Sequence, residues 1–78
     1  MRRAAKPQPA LGAAIRELRG KRGLTQEALA HEAEITVGHL STIERGHANP
    51  SWGAVAAIAS ALGLSVVEIA KSAERQST

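Results

Sequence analysis

The most constraining feature of this 78-residue sequence is a repeated pairing of residues that begin helices with residues that end them. Hydroxyl side chains able to cap the free N–H groups of a helix N-terminus occur at Thr25, Thr36, Ser51 and Ser65. Glycines able to end a helix occur at Gly23, Gly46 and Gly63. Because no segment alternates polar and apolar residues as a strand would, the pattern predicts an all-α fold of five short helices.

Apolar residues recur at helical spacing between these signals. Leu11, Ile15 and Leu18 lie on one face of a first helix, and Leu40 with Ile43 anchors a third. We expect a flexible basic N-terminal arm at residues 1–9, a folded domain at residues 10–73 and a frayed polar tail at residues 74–78.

Composition argues against several classes of function. The chain has no cysteine, and no apolar run approaches the ~20 residues needed to span a bilayer. His31, His39 and His47 fall on different predicted elements, and nothing resembles a nucleophile activated by a base. We therefore expect no enzyme, no metal site, no cofactor and no membrane contact.

The ten Lys and Arg residues are clustered along the chain. One cluster is Arg2, Arg3 and Lys6 in the arm. A second cluster in the first helix consists of Arg16, Arg19, Lys21 and Arg22. A basic arm beside a basic helix indicates a polyanionic partner, although charge alone is equally consistent with a solubilising surface.

The middle of the chain has the spacing of two helices joined by a tight turn. The positions concerned are Gln26, Ala30, Ile35, Leu40 and Ile43. On an ideal helix of ~100° per residue, the face opposite Leu40 and Ile43 is small and carries one cation. That face consists of Val37, Gly38, Ser41, Thr42 and Arg45. Small side chains allow a helix to approach the floor of the DNA major groove closely.

From about Leu11 to Ala70 the chain resembles the helix-turn-helix domain of phage repressors, Cro and their bacterial relatives, the Xre-like family. The most specific stretches are LTQEALA, at residues 24–30, and IERGHANPS, at residues 43–51. The resemblance implies a compact five-helix, lambda-repressor-like domain. It also implies a homodimer that binds a pseudo-palindromic operator in double-stranded DNA and regulates transcription in the bacterial cytoplasm, at the nucleoid.

The resemblance assigns roles to individual residues. The positions facing base edges are Val37, Gly38, Ser41 and Thr42. The positions along the DNA backbone are Thr25, Gln26, Arg45, His47 and Asn49. Arg19 and Glu44 match an ion pair that joins the first and third helices and fixes the angle of the reading helix. The arm residues Arg2, Arg3 and Lys6 would add affinity if they reach a minor groove.

Two departures from the family pattern affect these expectations. Glu34 stands where the turn usually has glycine, and a positive φ there would cost ~1–2 kcal/mol. The base-facing positions lack the Gln, Asn or Arg side chains that bind purine edges through two hydrogen bonds. We therefore expect weak direct readout, with Val37 touching a thymine methyl and single hydrogen bonds from Ser41 or Thr42. Much of the specificity would come from DNA shape and half-site spacing.

Surplus apolar residues at Val66, Val67 and Ala70 predict a dimer interface on the fifth helix, or else are ordinary partly exposed residues. We expect Trp52 to be partly buried; exposed, it would contact a sugar or a protein partner. The rival hypothesis for the whole chain is a protein-interaction module, for example an antitoxin-like one, that keeps this fold with weak or no specific DNA binding.

Overall fold

A computed structural model describes residues 8–76, which form five α-helices and no strand, so the predicted all-α fold is confirmed. The helices are α1 (Pro9–Lys21), α2 (Gln26–Ala33), α3 (Val37–Glu44), α4 (Trp52–Ala61) and α5 (Val66–Gln76). The arm residues Arg2, Arg3 and Lys6 lie outside the described residues. The last helix includes residues 74–76, which we expected to lie in a frayed tail.

Hydroxyl caps begin four of the five helices. Thr25 and Thr36 each accept a hydrogen bond of 3.0 Å from the backbone N–H three residues later, and Ser51 does so at 3.1 Å. Ser65 and Glu68 form the reciprocal capping box, at 3.1 and 2.8 Å. The start of α1 differs, since Gln8 provides no side-chain cap and Pro9 occupies the first turn.

The core is built from large aliphatic side chains contributed by all five helices. Its fully buried members are Ile15, Leu29, Leu40, Ile43, Ile58, Leu62 and Ile69. In this arrangement α1 packs against α3 and α5, while α2 packs against α3 and α4. The helix α3 therefore lies between α1 and α2 on its apolar face, and its opposite face remains exposed.

The turn between α2 and α3 keeps a left-handed residue although it lacks glycine. Glu34 has φ 60° and ψ 40°, and it is the only residue other than glycine with positive φ among residues 8–76. Its N–H donates to the carbonyl of His31, and that of Ile35 donates to the carbonyl of Ala30, at 3.1 and 3.0 Å. These bonds close the turn in spite of a conformational cost of ~1–2 kcal/mol.

The backbones of α1 and α3 approach so closely that side chains are excluded between them. A Cβ atom at Gly12 would overlap the carbonyl oxygen of Ile43, and one at Gly46 would lie 2.8 Å from Cα of Pro9. The backbone N–H of Gln8 also donates to the carbonyl of Ala48, 3.1 Å away. The first turn of α1 is thus seated on the C-terminal end of α3 and the loop that follows it.

Within residues 8–76, no single helix is long and apolar enough to cross a membrane. The consecutive helices α4 and α5 meet that length and composition only when taken together, and they are bent by 101° at the break between them.

Candidate nucleic-acid interface

The outward face of α3 carries small side chains on a helix held from behind by its core residues. Val37, Gly38 and Arg45 are exposed, and Ser41 and Thr42 are half-buried. A Cβ atom built at Gly38 would meet nothing within 4 Å, so the space outside this glycine is open. The predicted outward arc is therefore present as one continuous surface.

Both hydroxyl groups of this face have partners inside the protein. The Thr42 hydroxyl donates to the carbonyl oxygen of Gly38 at 2.9 Å, and Ser41 Oγ accepts from the guanidinium of Arg45 at 3.0 Å. Ser41 keeps its own proton for donation. The Thr42 proton is used inside the helix, so of the single hydrogen bonds expected from Ser41 or Thr42, Ser41 can donate one and Thr42 can only accept one.

A buried ionic cluster fixes the C-terminal end of α3 to α1 and α2. Arg19 Nε donates to Glu44 Oε2 at 2.7 Å, and a second guanidinium nitrogen donates to Oε1 at 3.0 Å. Gln26 Nε2 donates to the same Oε1 at 3.0 Å. Only 2% of the Glu44 side chain and 17% of the Arg19 side chain are exposed. The ion pair implied by the family pattern is thus present.

The environment of Arg19 favours its charged form. The hydrogen bond that Arg19 donates to Glu44 is the main cause that raises the pKa of the Arg19 guanidinium; burial lowers this pKa, and the charges of Glu44 and Glu27 raise it further. A further guanidinium nitrogen donates to the carbonyl of Leu24 at 2.9 Å. Arg19 is therefore committed to holding three segments together, and its charge is not free for a partner.

An open polar depression of about 540 Å³ lies between α1, α2 and the end of α3. Its lining residues are Arg16, Arg19, Thr25, Gln26, Glu27, Ser41, Glu44 and Arg45. The structure thereby brings together Thr25, Gln26 and Arg45, which the family pattern assigns to the DNA backbone. His47 and Asn49 are exposed on the loop after α3.

Arg16 is a residue that the motif does not identify. It lines the depression beside Gln26 and Arg45, and it makes no ion pair or hydrogen bond within residues 8–76. The signal in the sequence was its place in the basic cluster of α1. Which basic residue of α1 faces the depression depends on how α1 packs against α2 and α3. The sequence of α1 alone therefore does not single out Arg16.

A second, apolar surface lies beside α5. Trp52 is 73% exposed, so the expectation of partial burial is wrong: the first turn of α4 points this side chain away from the core. It borders a groove of about 270 Å³ whose other apolar lining residues are Leu11, Pro50, Val55, Val66, Ile69 and Ala70. Val67 is 62% exposed, whereas Val66 is half-buried and packs against the core.

No group of three or more His, Cys, Asp or Glu side chains suited to a metal ion occurs among residues 8–76.

Five short helices, a capped second helix, a tight turn and an exposed third helix define a helix-turn-helix domain. A family model described as a helix-turn-helix domain matches residues 10–71, and the chain belongs to that family. It is 40% identical over 60 residues to the HTH-type transcriptional regulator DdrOP3 of Deinococcus deserti. That match covers 77% of this chain and 46% of the relative, so the chain spans less than half of that regulator.

Solved structures with the same fold are also regulators. The clp gene regulator ClgR of Corynebacterium glutamicum is 35% identical, with a TM-score of 0.87 over 91% of this chain and 92% of that one. The restriction–modification controller protein C.Esp1396I, as a tetramer in complex with its natural 35 base-pair operator, is 25% identical, with a TM-score of 0.81. That match covers 88% of this chain and 91% of the controller. These relatives are regulators of transcription rather than enzymes.

Proposed function

We propose that this protein binds operator DNA in the bacterial cytoplasm as a homodimer, with α3 in the major groove, and thereby regulates transcription. The observation that carries the proposal is the small, exposed face of α3 on a helix braced by Arg19, Glu44 and Gln26. A helix held at a fixed angle, whose outward side chains are small apart from Arg45 at its end, fits the width of the major groove. The operator complex of the similar controller protein supports a DNA partner.

Contacts to the phosphate backbone are assigned to the polar depression and to the loop after α3. Gln26 and Thr25 stand at the N-terminal end of α2, where free backbone N–H groups favour a phosphate oxygen. Arg45 and Arg16 supply positive charge on either side of them, and His47 with Asn49 extends the row of contacts. Such contacts fix the register of a protein on DNA without reading sequence.

Dimerisation is assigned to the surface formed by Trp52, Val67 and Ala70 together with the accessible part of Val66. The support is an apolar groove lined by Trp52, Val66 and Ala70, together with the exposure of Val67 on the same helix as Val66, since large exposed apolar patches commonly mark interaction sites. A two-fold dimer would present two copies of α3 about one DNA turn, ~34 Å, apart. Two weakly reading helices at a fixed spacing together discriminate better than one.

The second candidate is a protein-interaction module with little specific DNA binding. The Thr42 hydroxyl, which donates inside the helix, favours it, since it leaves Ser41 as the one hydroxyl of the exposed α3 face that can donate to a base. Arg16 has no ion-pair partner among residues 8–76 and lines the same depression as Gln26 and Arg45, which favours the DNA-binding regulator. A surface that binds an uncharged protein partner would not require these cationic and polar side chains together.

Selection from a random duplex library, followed by affinity measurements at several salt concentrations, tests the function. We expect an enriched two-fold motif and a steep fall of affinity with salt. Arg16→Ala should weaken binding to every duplex and reduce the magnitude of the salt slope by about 1, as one lost phosphate contact predicts. Gln26→Ala should weaken binding to all sequences alike, because it removes the proposed phosphate contact and one hydrogen bond of the brace on α3.

The matched control is Lys21→Ala, which removes the same charge from the same helix outside the depression. It should leave the salt slope close to that of the wild type. Failure to enrich any motif at low salt would refute specific DNA recognition. Equal slopes for Arg16→Ala and Lys21→Ala would refute the assignment of Arg16.

A further inference from the structure

The loop after α3 places one histidine beside the proposed DNA surface. The backbone N–H of His47 donates to the carbonyl of Thr42 in α3, and the next carbonyl, that of Ala48, accepts from the N–H of Gln8, each at 3.1 Å. Gly46, directly before His47, turns the chain with φ 78°. The backbone on both sides of His47 is therefore anchored, while its side chain is exposed.

The imidazole of His47 has no internal partner. It makes no hydrogen bond and no ion pair with another of residues 8–76. Its charged neighbours along the chain are already engaged, since Glu44 is held by Arg19 and Arg45 donates to Ser41. No carboxylate of this segment is therefore free to pair with a charged His47.

The elements around this loop offer no counter-charge either. The first turns of α1 and α4 contain no titratable side chain. Helix α5 borders the groove that Asn49 lines, and the charged residues of its first two turns are Glu68 and Lys71. Glu68 accepts from the N–H of Ser65 at 2.8 Å, and Lys71 has the same sign as a protonated histidine. A proton on His47 therefore leaves a positive charge that an anion from outside the protein can neutralise.

Histidine ordinarily changes its charge between about pH 5 and 8. Its neutral ring has one N–H donor, whereas the protonated ring has two donors and a positive charge. A phosphate oxygen therefore binds the charged form more strongly. We propose that His47 takes up a proton when the protein binds DNA, so that acidification strengthens the complex through this phosphate contact. The proposal rests on the proposed binding of operator DNA and adds a dependence on pH to it.

The direction of the effect follows from where the proton is held more tightly. If phosphate retains the proton on His47, the extra affinity is complete at a pH low enough to protonate the free protein as well. It is lost as the pH rises through the range in which the bound histidine titrates. One exposed charge pair corresponds to about threefold in affinity. A two-fold dimer has two such loops, so we expect about tenfold.

The other two histidines provide matched controls. His31 is exposed on α2, one turn after Glu27 and directly before Glu32, so negative charges that repel DNA lie beside it. His39 is exposed on α3 but lies one turn before the core residue Ile43, at the margin of the outward face. Neither occupies the loop assigned to the DNA backbone.

Affinity for the selected duplex, measured at about pH 5.5 and about pH 8 at constant salt, tests the proposal. The wild type should bind about tenfold more tightly at the lower pH, with a steeper salt slope by about one per half-site. His47→Gln should lose most of both differences, whereas His31→Gln and His39→Gln should keep them. His47→Lys, which is charged at both pH values, should bind tightly at both.

Equal wild-type affinity at the two pH values would overturn the proposal and leave DNA binding intact. A pH dependence that survives in His47→Gln, or that disappears in His39→Gln or His31→Gln instead, would overturn the assignment to His47. Absence of binding to any duplex at either pH would overturn the proposed function and this proposal with it. Thermal denaturation of each variant at both pH values establishes that it is folded.

Discussion

Gly12 and Gly20 lie in the same helix in opposite surroundings. A Cβ atom at Gly12 would overlap the backbone of α3, whereas one at Gly20 would meet nothing within 4 Å. Gly12 is therefore required by the contact between two helix backbones, and Gly20 is not. No periodicity distinguishes these glycines in the sequence, because the requirement comes from the packing of α1 on α3.

Gly12→Ala should lower the free energy of unfolding by about 2 kcal/mol, because overpacking a close helix contact displaces backbone. Gly20→Ala, the matched control, should raise it by about 0.5–1 kcal/mol through the better helix propensity of alanine. Urea denaturation of the two variants measures both values. Equal stabilities would show that α1 and α3 are not held as closely as the structure indicates.

The roles of other single residues were predictable to different degrees. The positive φ of Glu34 follows from its place in a turn that normally requires glycine, and the structure has it. The exposure of Trp52 and the internal bond of Thr42 were not predicted. The first depends on the direction in which the start of α4 leaves the core. The hydrogen bond of Thr42 depends on which side-chain rotamer it adopts, and the pattern of apolar residues does not determine that rotamer.

The boundaries of whole helices were predicted from the sequence more successfully than the roles of single residues. Each capped helix begins where a Ser or Thr precedes an apolar segment, since the local hydrogen bond of the cap is encoded within three residues. The C-terminal boundary of α5 was less well predicted, because a polar helix end carries no stop signal such as glycine.

The cluster of Arg19, Glu44 and Gln26 joins α1, α3 and α2. Its effect on the orientation of α3 can be separated from its effect on the stability of the domain. The raised pKa of Arg19 means that its contribution is present at all pH values below the ordinary arginine pKa and is lost only above it. Titration near neutral pH therefore does not test the cluster. Substitution does.

Arg19→Met should destabilise the domain by about 3 kcal/mol, because it leaves the carboxylate of Glu44 buried without its cation. The double variant Arg19→Met/Glu44→Met should recover most of that loss in urea denaturation. It should nevertheless bind the selected duplex more weakly than the wild type, because Gln26 loses its acceptor and α3 its brace. Wild-type affinity in the double variant would contradict a positioning role for the cluster.

For the whole molecule, the proposed dimer depends on a surface that the core does not need. Val67→Lys places a charge in that surface at a position already 62% exposed, so monomer stability should change little. We expect self-association to weaken about tenfold or more by sedimentation equilibrium. Val37→Lys makes the same change on the proposed DNA face and should leave self-association unaltered. A wild-type protein that remains monomeric at concentrations that saturate two-fold duplexes would contradict the dimer.

The seating of α1 on α3 at Gly12, Gly46 and Pro9 has a mechanical consequence. The backbones are closely packed and the ionic cluster fixes the same end of α3, so we expect α3, the helix proposed to enter the major groove, to move with the domain as one rigid body. When a rigid body meets a site of imperfect shape, the duplex is the component that bends or twists. The ranking of operators by affinity should therefore follow how easily each base step deforms, even at steps that no side chain touches.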